Sequence, residues 1–393
     1  MRIAYLSVSP LIPSGYGKCT RELAGRLASE FDVTIFAYTG LKHSTIDVEL
    51  PSLNGRKAQV KVVGNTVDDL HHPLLWEMGR KFDLVLMHCD AWILREKLRG
   101  SGLRVVSWCV GDHVPVATAM KEMINCEECI AVVPMTEWYR SVLLSSPAVP
   151  KHKVLDPIPH GVDPAFWRRV DEWPEGIPRG FEFLVVSVVA NYGFRENIPV
   201  MIEGFAQFLK RTKADAAFYI HAEPYAERGY DLRAICMQVE EEYGVPLSRR
   251  VFFKSFPGYY PEEWMRALYS AADCQLMTVM AGSFEIGILE SAMCGCPTIV
   301  MDFSGPGEVV GHGERGLVVP PRAPMWLNLI SAKYYMPAPE DIAEALERYY
   351  RDEDLRFEHV ARMREWIMEN ATWDLVAERW IKTLKEVAVK YVC

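Results

Sequence analysis

Two doubly wound α/β domains, each a parallel sheet covered on both faces by helices, are the fold this sequence predicts. The chain's 393 residues exceed what one hydrophobic core usually organises, which favours two domains of about 150 to 200 residues. Short apolar strands alternate with amphipathic helices, the pattern of parallel sheets with crossover connections. That alternation stops at a proline- and glycine-rich stretch, Pro157 to Gly180, and then restarts, as a linker between two domains requires.

In the first half the strand candidates are Ile3–Val8, Val33–Tyr38, Leu84–His88, Val105–Cys109 and Ile130–Val133. Between the first two, Leu23, Leu27 and Phe31 recur at helical spacing behind Ser14, a candidate N-cap. Gly40 to Asn54 reads as a loop. Beyond the linker the strands are Phe183–Val189, Ala217–His221, Val251–Lys254, Cys274–Val279 and Thr298–Met301, with a helix opened by Asn197 and Pro199. From Asp341 the chain reads as helical. Trp366, Trp373 and Trp380, spaced seven apart, suggest one apolar docking face. The expected domains are 1–165, 166–370 and a closing helix at 371–393.

Composition narrows the function. Half the residues are hydrophobic and 24% charged, with a net charge of -9, which disfavours nucleic acid because phosphate binding needs a basic surface. The ten cysteines are scattered and read as buried thiols. Cys126 and Cys129 lack a second pair at zinc-finger distance, so no metal site is expected. The N-terminus lacks the continuous apolar region of a signal peptide, and no apolar run reaches the roughly 20 residues that cross a bilayer. A cytoplasmic protein without a transmembrane segment is the expectation.

The chemistry concentrates in residues 277–305, MTVMAGSFEIGILESAMCGCPTIVMDFSG, which read as strand, tight loop, helix, glycine stop and strand. Gly282 and Gly287 flank a loop leading into a helix N-terminus, where free N–H donors and partial positive charge favour a diphosphate. Glu290, in the first turn or so of that helix, can accept both hydroxyls of a ribose. An ordinary βαβ unit with a capped helix would share these features.

This stretch resembles the donor-site signature of the retaining, GT-B fold glycosyltransferases of family 4, also called group 1, written E-G-F-G-L-P-x-x-E-A-M-A-C-G-x-P. Phe284, Glu290, Cys294, Gly295 and Pro297 fall in register. DFSGPGE, Asp302 to Glu308, resembles the family's next element, with Glu308 as its second glutamate. Three further segments also resemble family landmarks: SGYGKCTRELAGRLA from Ser14, IPHGVDPAFW from Ile158, and VVANYGFRENIPV from Val188. The closing segment ATWDLVAERWIKTLKEV does too. The resemblance implies two Rossmann-like domains facing a central cleft and transfer of a hexosyl unit from a UDP-, GDP- or ADP-sugar to an acceptor hydroxyl with retention. It implies donor contacts from Gly15, Tyr16, Gly17, Arg195, Ser283, Phe284, Ile286, Gly287, Glu290 and Glu308. No cofactor beyond the donor and no metal are expected, and the acceptor is an unknown glycan, lipid or small molecule.

The chain departs from the family at several points. The first glutamate of the E-x7-E pair, which touches the transferred sugar in that family, is replaced by Gly282. Glu285 could supply a carboxylate by another route or simply cap the helix. Arg195 is present, but Asn191 and Glu196 stand where the family tends to carry Arg and Lys. Arg195 is a diphosphate ligand or a solvated loop cation. Asp112 and His113, beyond the strand Val105–Cys109, either act on the acceptor or transferred sugar or form a locally satisfied loop pair. His160 replaces the linker's usual Asn and reads as a turn residue; His88 and Asp90 are weaker candidates. The rival readings are a weakened nucleotide-sugar-binding scaffold, a nucleotide-sugar epimerase and a nicotinamide enzyme. Thr20 argues against the last, because it occupies the third glycine position of G-x-G-x-x-G.

Overall fold

The computed structural model describes residues 1–327 and 330–391, and they fall into two units. Unit 1 comprises Met1–Gly161, Leu327–Ala332 and Asn370–Cys393; unit 2 comprises Val162–Trp326 and Lys333–Glu369.

Unit 1 holds a seven-stranded sheet built from β1 (Arg2–Ser7), β2 (Asp32–Lys42), β3 (Thr45–Pro51), β4 (Lys57–Asn65), β5 (Leu84–Met87), β6 (Val105–Cys109) and β7 (Cys129–Pro134). Their order is β3-β4-β2-β1-β5-β6-β7, parallel except for the antiparallel β3–β4 pair. From β1 the chain moves first to one side and later, at β5, to the other, so the sheet's switch point lies between β1 and β5, where open α/β sheets place ligands.

Unit 2 repeats the plan with six parallel strands: β8 (Phe183–Ser187), β9 (Ala216–Ile220), β10 (Val251–Phe253), β11 (Cys274–Met277), β12 (Thr298–Met301) and β13 (Leu317–Val319). The order β10-β9-β8-β11-β12-β13 puts its switch point between β8 and β11. A two-stranded ribbon, β14 (Ala323–Leu327) and β15 (Ala332–Met336), follows.

β1, β5, β8, β9, β10 and β11 end earlier than their apolar runs. Val8, His88, Val188, Val189, His221, Lys254, Thr278 and Val279 were expected inside strands and lie beyond the carboxyl ends. Val8, His88 and Val279 are at most 6% exposed, so the first loop residues are as buried as the strand and hide its end. Gly40–Asn54 is no loop: it contains the end of β2 and all of β3. The hairpin signal was present, since Asn54 and Gly55 both take positive φ (56° and 69°) between the alternating segments TIDVELP and KAQVKVV, as a hairpin turn demands.

Ser14 caps the helix Gly15–Leu27, its Oγ accepting from Gly17 N at 3.1 Å. The tryptophan spacing does not describe one face. The helix Glu353–Asn370 ends before Trp373–Tyr391 begins, so Trp366 lies on the earlier helix beside Arg315, whereas Trp373 and Trp380 are buried. Within unit 1 the last helix is fastened by Asp374, which accepts from Arg26 Nε at 2.6 Å, and by Glu30, which accepts from Lys385 Nζ at 2.7 Å. Among the described residues no helix is long and apolar enough to cross a membrane, and the described cysteines are buried and outside any disulfide.

Candidate functional site

Arg195 follows β8, and the loop from Gly282 to Ile286 follows β11, so the topology brings both to unit 2's switch point. Met280 N donates to the Arg195 carbonyl at 2.8 Å, and Arg195 Nη1 donates to the Ala281 carbonyl at 2.7 Å. The guanidinium also meets two carboxylates, Glu196 Oε1 at 2.8 Å and Glu285 Oε1 at 3.3 Å. The Ala281 carbonyl was invisible to sequence reasoning, because a backbone acceptor carries no residue signature.

Glu285 holds a left-handed φ of 67°, which an L-residue adopts at a cost of about 1–2 kcal/mol. Its side chain folds back over Gly282: a Cβ built on Gly282 would lie 2.4 Å from Glu285 Oε1 and 2.8 Å from its Cγ. The carboxylate of Glu285 therefore occupies the space into which a side chain at 282 would grow.

The helix Gly287–Cys294 starts directly after. Its first backbone bonds run from Ile288 N to the Glu285 carbonyl at 3.1 Å and from Leu289 N to Ile286 at 3.0 Å, so the amides of Glu285, Ile286 and Gly287 precede the hydrogen-bonded turn, the arrangement that suits an anion. Phe284 is 2% exposed and anchors the loop inward, while Ser283 and Ile286 are half-buried. Glu290 is 4% exposed. Tyr269 Oη, buried and lacking a hydrogen-bond partner among the described residues, lies 3.2 Å from where a Gly287 Cβ would sit. Burial, then the Glu290 charge, hold that phenol above its ordinary range, so it stays a donor.

The element Asp302–Glu308 braces this loop. Ser304 Oγ accepts from Gly282 N at 3.1 Å, and Gly305 N donates to the Gly282 carbonyl at 2.9 Å. A Cβ on Gly305 would stand 2.3 Å from the Ser283 carbonyl oxygen, which only glycine tolerates. Gly305→Ala is expected to lower stability by about 2 kcal/mol, measured as a shifted urea midpoint. Glu308 is half-buried on the helix Ser304–Val309.

Asn191 is a buckle. Its Nδ2 donates to the Glu223 and Tyr230 carbonyls at 2.9 and 2.8 Å, and its Oδ1 accepts from Tyr230 N at 2.9 Å. Asn191 thereby anchors the 223–230 loop. Glu196 is 6% exposed, and its carboxyl is raised above the ordinary value by burial, against the pull of Arg195. A raised carboxyl binds its proton more tightly folded than unfolded, so its contribution is most favourable at acid pH and is lost as pH rises through the raised value. Glu196→Gln should therefore gain stability relative to wild type from acid to neutral pH, read as urea midpoints across that range.

In unit 1, Gly15 has open space where a Cβ would be, whereas a Cβ on Gly17 would strike the Ile12 carbonyl at 1.9 Å. Gly17 is thus demanded by the turn into the helix, and its N–H is taken by Ser14. Tyr16 packs on His88 with ring centroids 4.9 Å apart. His113 is 3% exposed: Nε2 accepts from Ala117 N at 3.3 Å, leaving Nδ1–H to face Asp112 Oδ1 at 3.1 Å. That network turns His113 inward and leaves Asp112 the more exposed of the two. His160 is not a simple turn residue; it packs edge-on against Trp108 (5.0 Å) and against His88 (5.5 Å).

Residues 183–352 match the family model described as Glycosyl transferases group 1. Among curated proteins, an exopolysaccharide phosphotransferase of Streptomyces coelicolor is 29% identical over 127 residues, 32% of this chain and 11% of that protein. An uncharacterized glycosyltransferase of Methanocaldococcus jannaschii is 21% identical over 280 residues, 70% of this chain and 64% of that protein. The chain thus spans less than two thirds of either relative. Among solved structures, sucrose-phosphate synthase from Thermosynechococcus elongatus superposes with a TM-score of 0.71 at 17% identity, covering 99% of this chain and 100% of that one. HepE of Anabaena, in complex with UDP and glucose, superposes with a TM-score of 0.69 at 14% identity, covering 98% and 100%. Residues 183–352 are thus similar to the glycosyl transferases group 1 family, and the chain's two parallel-sheet units have the GT-B fold.

Proposed function

We propose that the chain transfers a hexosyl unit from a nucleotide-diphosphate sugar to an acceptor hydroxyl with retention of configuration. The observation that carries this reading is the convergence, at unit 2's switch point, of Arg195, the Ser283–Gly287 helix start and the buried Glu290. Glu290 would hold the ribose hydroxyls, and Glu308 would approach the donor from the neighbouring element. Arg195, the amides of Glu285 to Gly287 and the helix dipole would stabilise the charge that develops on the leaving diphosphate, without a metal. In unit 1, Asp112, held in orientation by His113, would serve the acceptor. UDP is the first nucleotide to test, since HepE is solved with UDP-glucose.

Calorimetry with UDP, GDP and ADP tests the site. One nucleotide should bind more tightly than millimolar, and Glu290→Ala should weaken it about tenfold, the effect of losing hydrogen bonds to a charged acceptor. Unchanged binding in that variant would sink the assignment. Nucleotide release over a panel of donors, with and without acceptor sugars, then separates transfer from epimerisation. The two carboxylates on Arg195 favour one second reading, a donor-binding protein with weakened turnover, which would bind the nucleotide yet release none from its sugar.

A further inference from the structure

We propose that Cys19, His88 and His160 form a site for a zinc-type divalent cation that staples unit 1. One sulfur and two imidazole nitrogens from these residues all lie within 4.8 Å of one another. A tetrahedral zinc with bonds of about 2.0–2.3 Å holds its ligand atoms about 3.4–3.6 Å apart, so small side-chain rotations close the set. One thiolate and two imidazoles are a donor set that zinc accepts and that hard, oxygen-seeking cations do not.

The three residues come from separate parts of the unit. Cys19 lies on the helix Gly15–Leu27, His88 directly follows β5, and His160 stands near the end of the unit's first segment. An ion there would cross-link residues distant in sequence. Cys19 and His88 are buried and His160 partly so, which limits water to the fourth tetrahedral position that three protein ligands leave open.

The surroundings suit a ligand role for His88. Tyr5 Oη lies 3.2 Å from His88 Nδ1, engaging one ring nitrogen and leaving Nε2 for the metal, as partners of ligating histidines commonly do. By contrast Cys126, of the closely spaced pair, turns its sulfur to the Glu122 carbonyl at 3.3 Å. The proposed ion is structural and independent of the sugar-transfer reading.

Cobalt titration of the full chain, stripped by chelator and kept reduced with a phosphine, tests the proposal. A thiolate-bound tetrahedral Co²⁺ gives a sulfur-to-cobalt band in the near ultraviolet and intense visible bands. Both should appear, saturate at one ion per chain and vanish when Zn²⁺ is added; added Zn²⁺ should also raise the melting temperature. Cys19→Ser should abolish the ultraviolet band, and His160→Asn should weaken Co²⁺ binding at least about tenfold. Absence of the band in wild type, or its survival in Cys19→Ser, overturns the proposal. Should Cys19→Ser fail to fold, His160→Asn decides, since it restores the residue usual at this place in the resembling family. Undiminished cobalt affinity in that folded variant overturns the site.

Discussion

Arg195→Ala is expected to lower kcat by about 10²- to 10³-fold, the loss typical of deleting one preorganised group at a developing charge. The side chain is fixed by the protein itself, by the Ala281 carbonyl at 2.7 Å and by Glu196 and Glu285. Preorganisation is what makes such a group effective, because little reorganisation is left for the reaction itself. The same contacts complicate the variant: removing the guanidinium leaves Glu196, which is 6% exposed, buried without its cation, and such a change destabilises. The double variant Arg195→Ala/Glu196→Gln removes that orphaned charge. If the role is diphosphate stabilisation, kcat stays depressed in the double variant while the melting temperature recovers. A double variant with near wild-type kcat would show that Arg195 serves only to tie the β8 and β11 loops together. Arg195→Lys should recover little, since a single ammonium cannot hold Ala281, Glu196 and a diphosphate in one plane.

The strand-helix alternation made the fold readable, because buried parallel strands are continuous apolar runs such as FLVVS and TIVM. The same property blurred their ends: Val8 and Val279 are as apolar and buried as the strands they leave. β3 and β4 escaped because β3 exposes every other residue, which resembles a polar loop unless the Asn54-Gly55 turn is weighed with it. Around Ser283–Glu290 the strand, tight loop and helix start were legible because the glycines and apolar spacing set the local structure. The anchoring of Asn191 to Glu223 and Tyr230, and the inward turn of His113, were not. Both depend on which backbone groups face these side chains, and that is decided by loops distant in sequence.

Glu285→Gly should abolish most turnover, by about 10²-fold, and leave the protein as stable as wild type or more so. The two halves have one cause. Glu285 sits at φ 67°, a conformation glycine adopts freely, so the substitution relieves strain of about 1–2 kcal/mol, partly offset by the glycine's greater unfolded-state freedom. What it removes is a carboxylate held over Gly282 beside Arg195. On the proposed function that carboxylate contacts the transferred sugar, and a charged hydrogen bond of this kind contributes up to about 3 kcal/mol, or roughly 10²-fold. Strain retained at a site is what a functional demand produces; helix capping alone would predict lost stability without a matching loss of turnover. The position can be tested by moving the carboxylate. Gly282→Glu alone overfills the loop, since its Cβ would lie 2.4 Å from Glu285 Oε1, and should impair both folding and activity. Gly282→Glu/Glu285→Gly empties that space and places a carboxylate at the first position of the E-x7-E pair. It should recover at least about tenfold of the activity lost in Glu285→Gly, with the donor-sugar preference altered because the carboxylate arrives from a different backbone position. If Glu285→Gly keeps full turnover on every donor that wild type accepts, Glu285 is a capping residue and the sugar contact lies elsewhere.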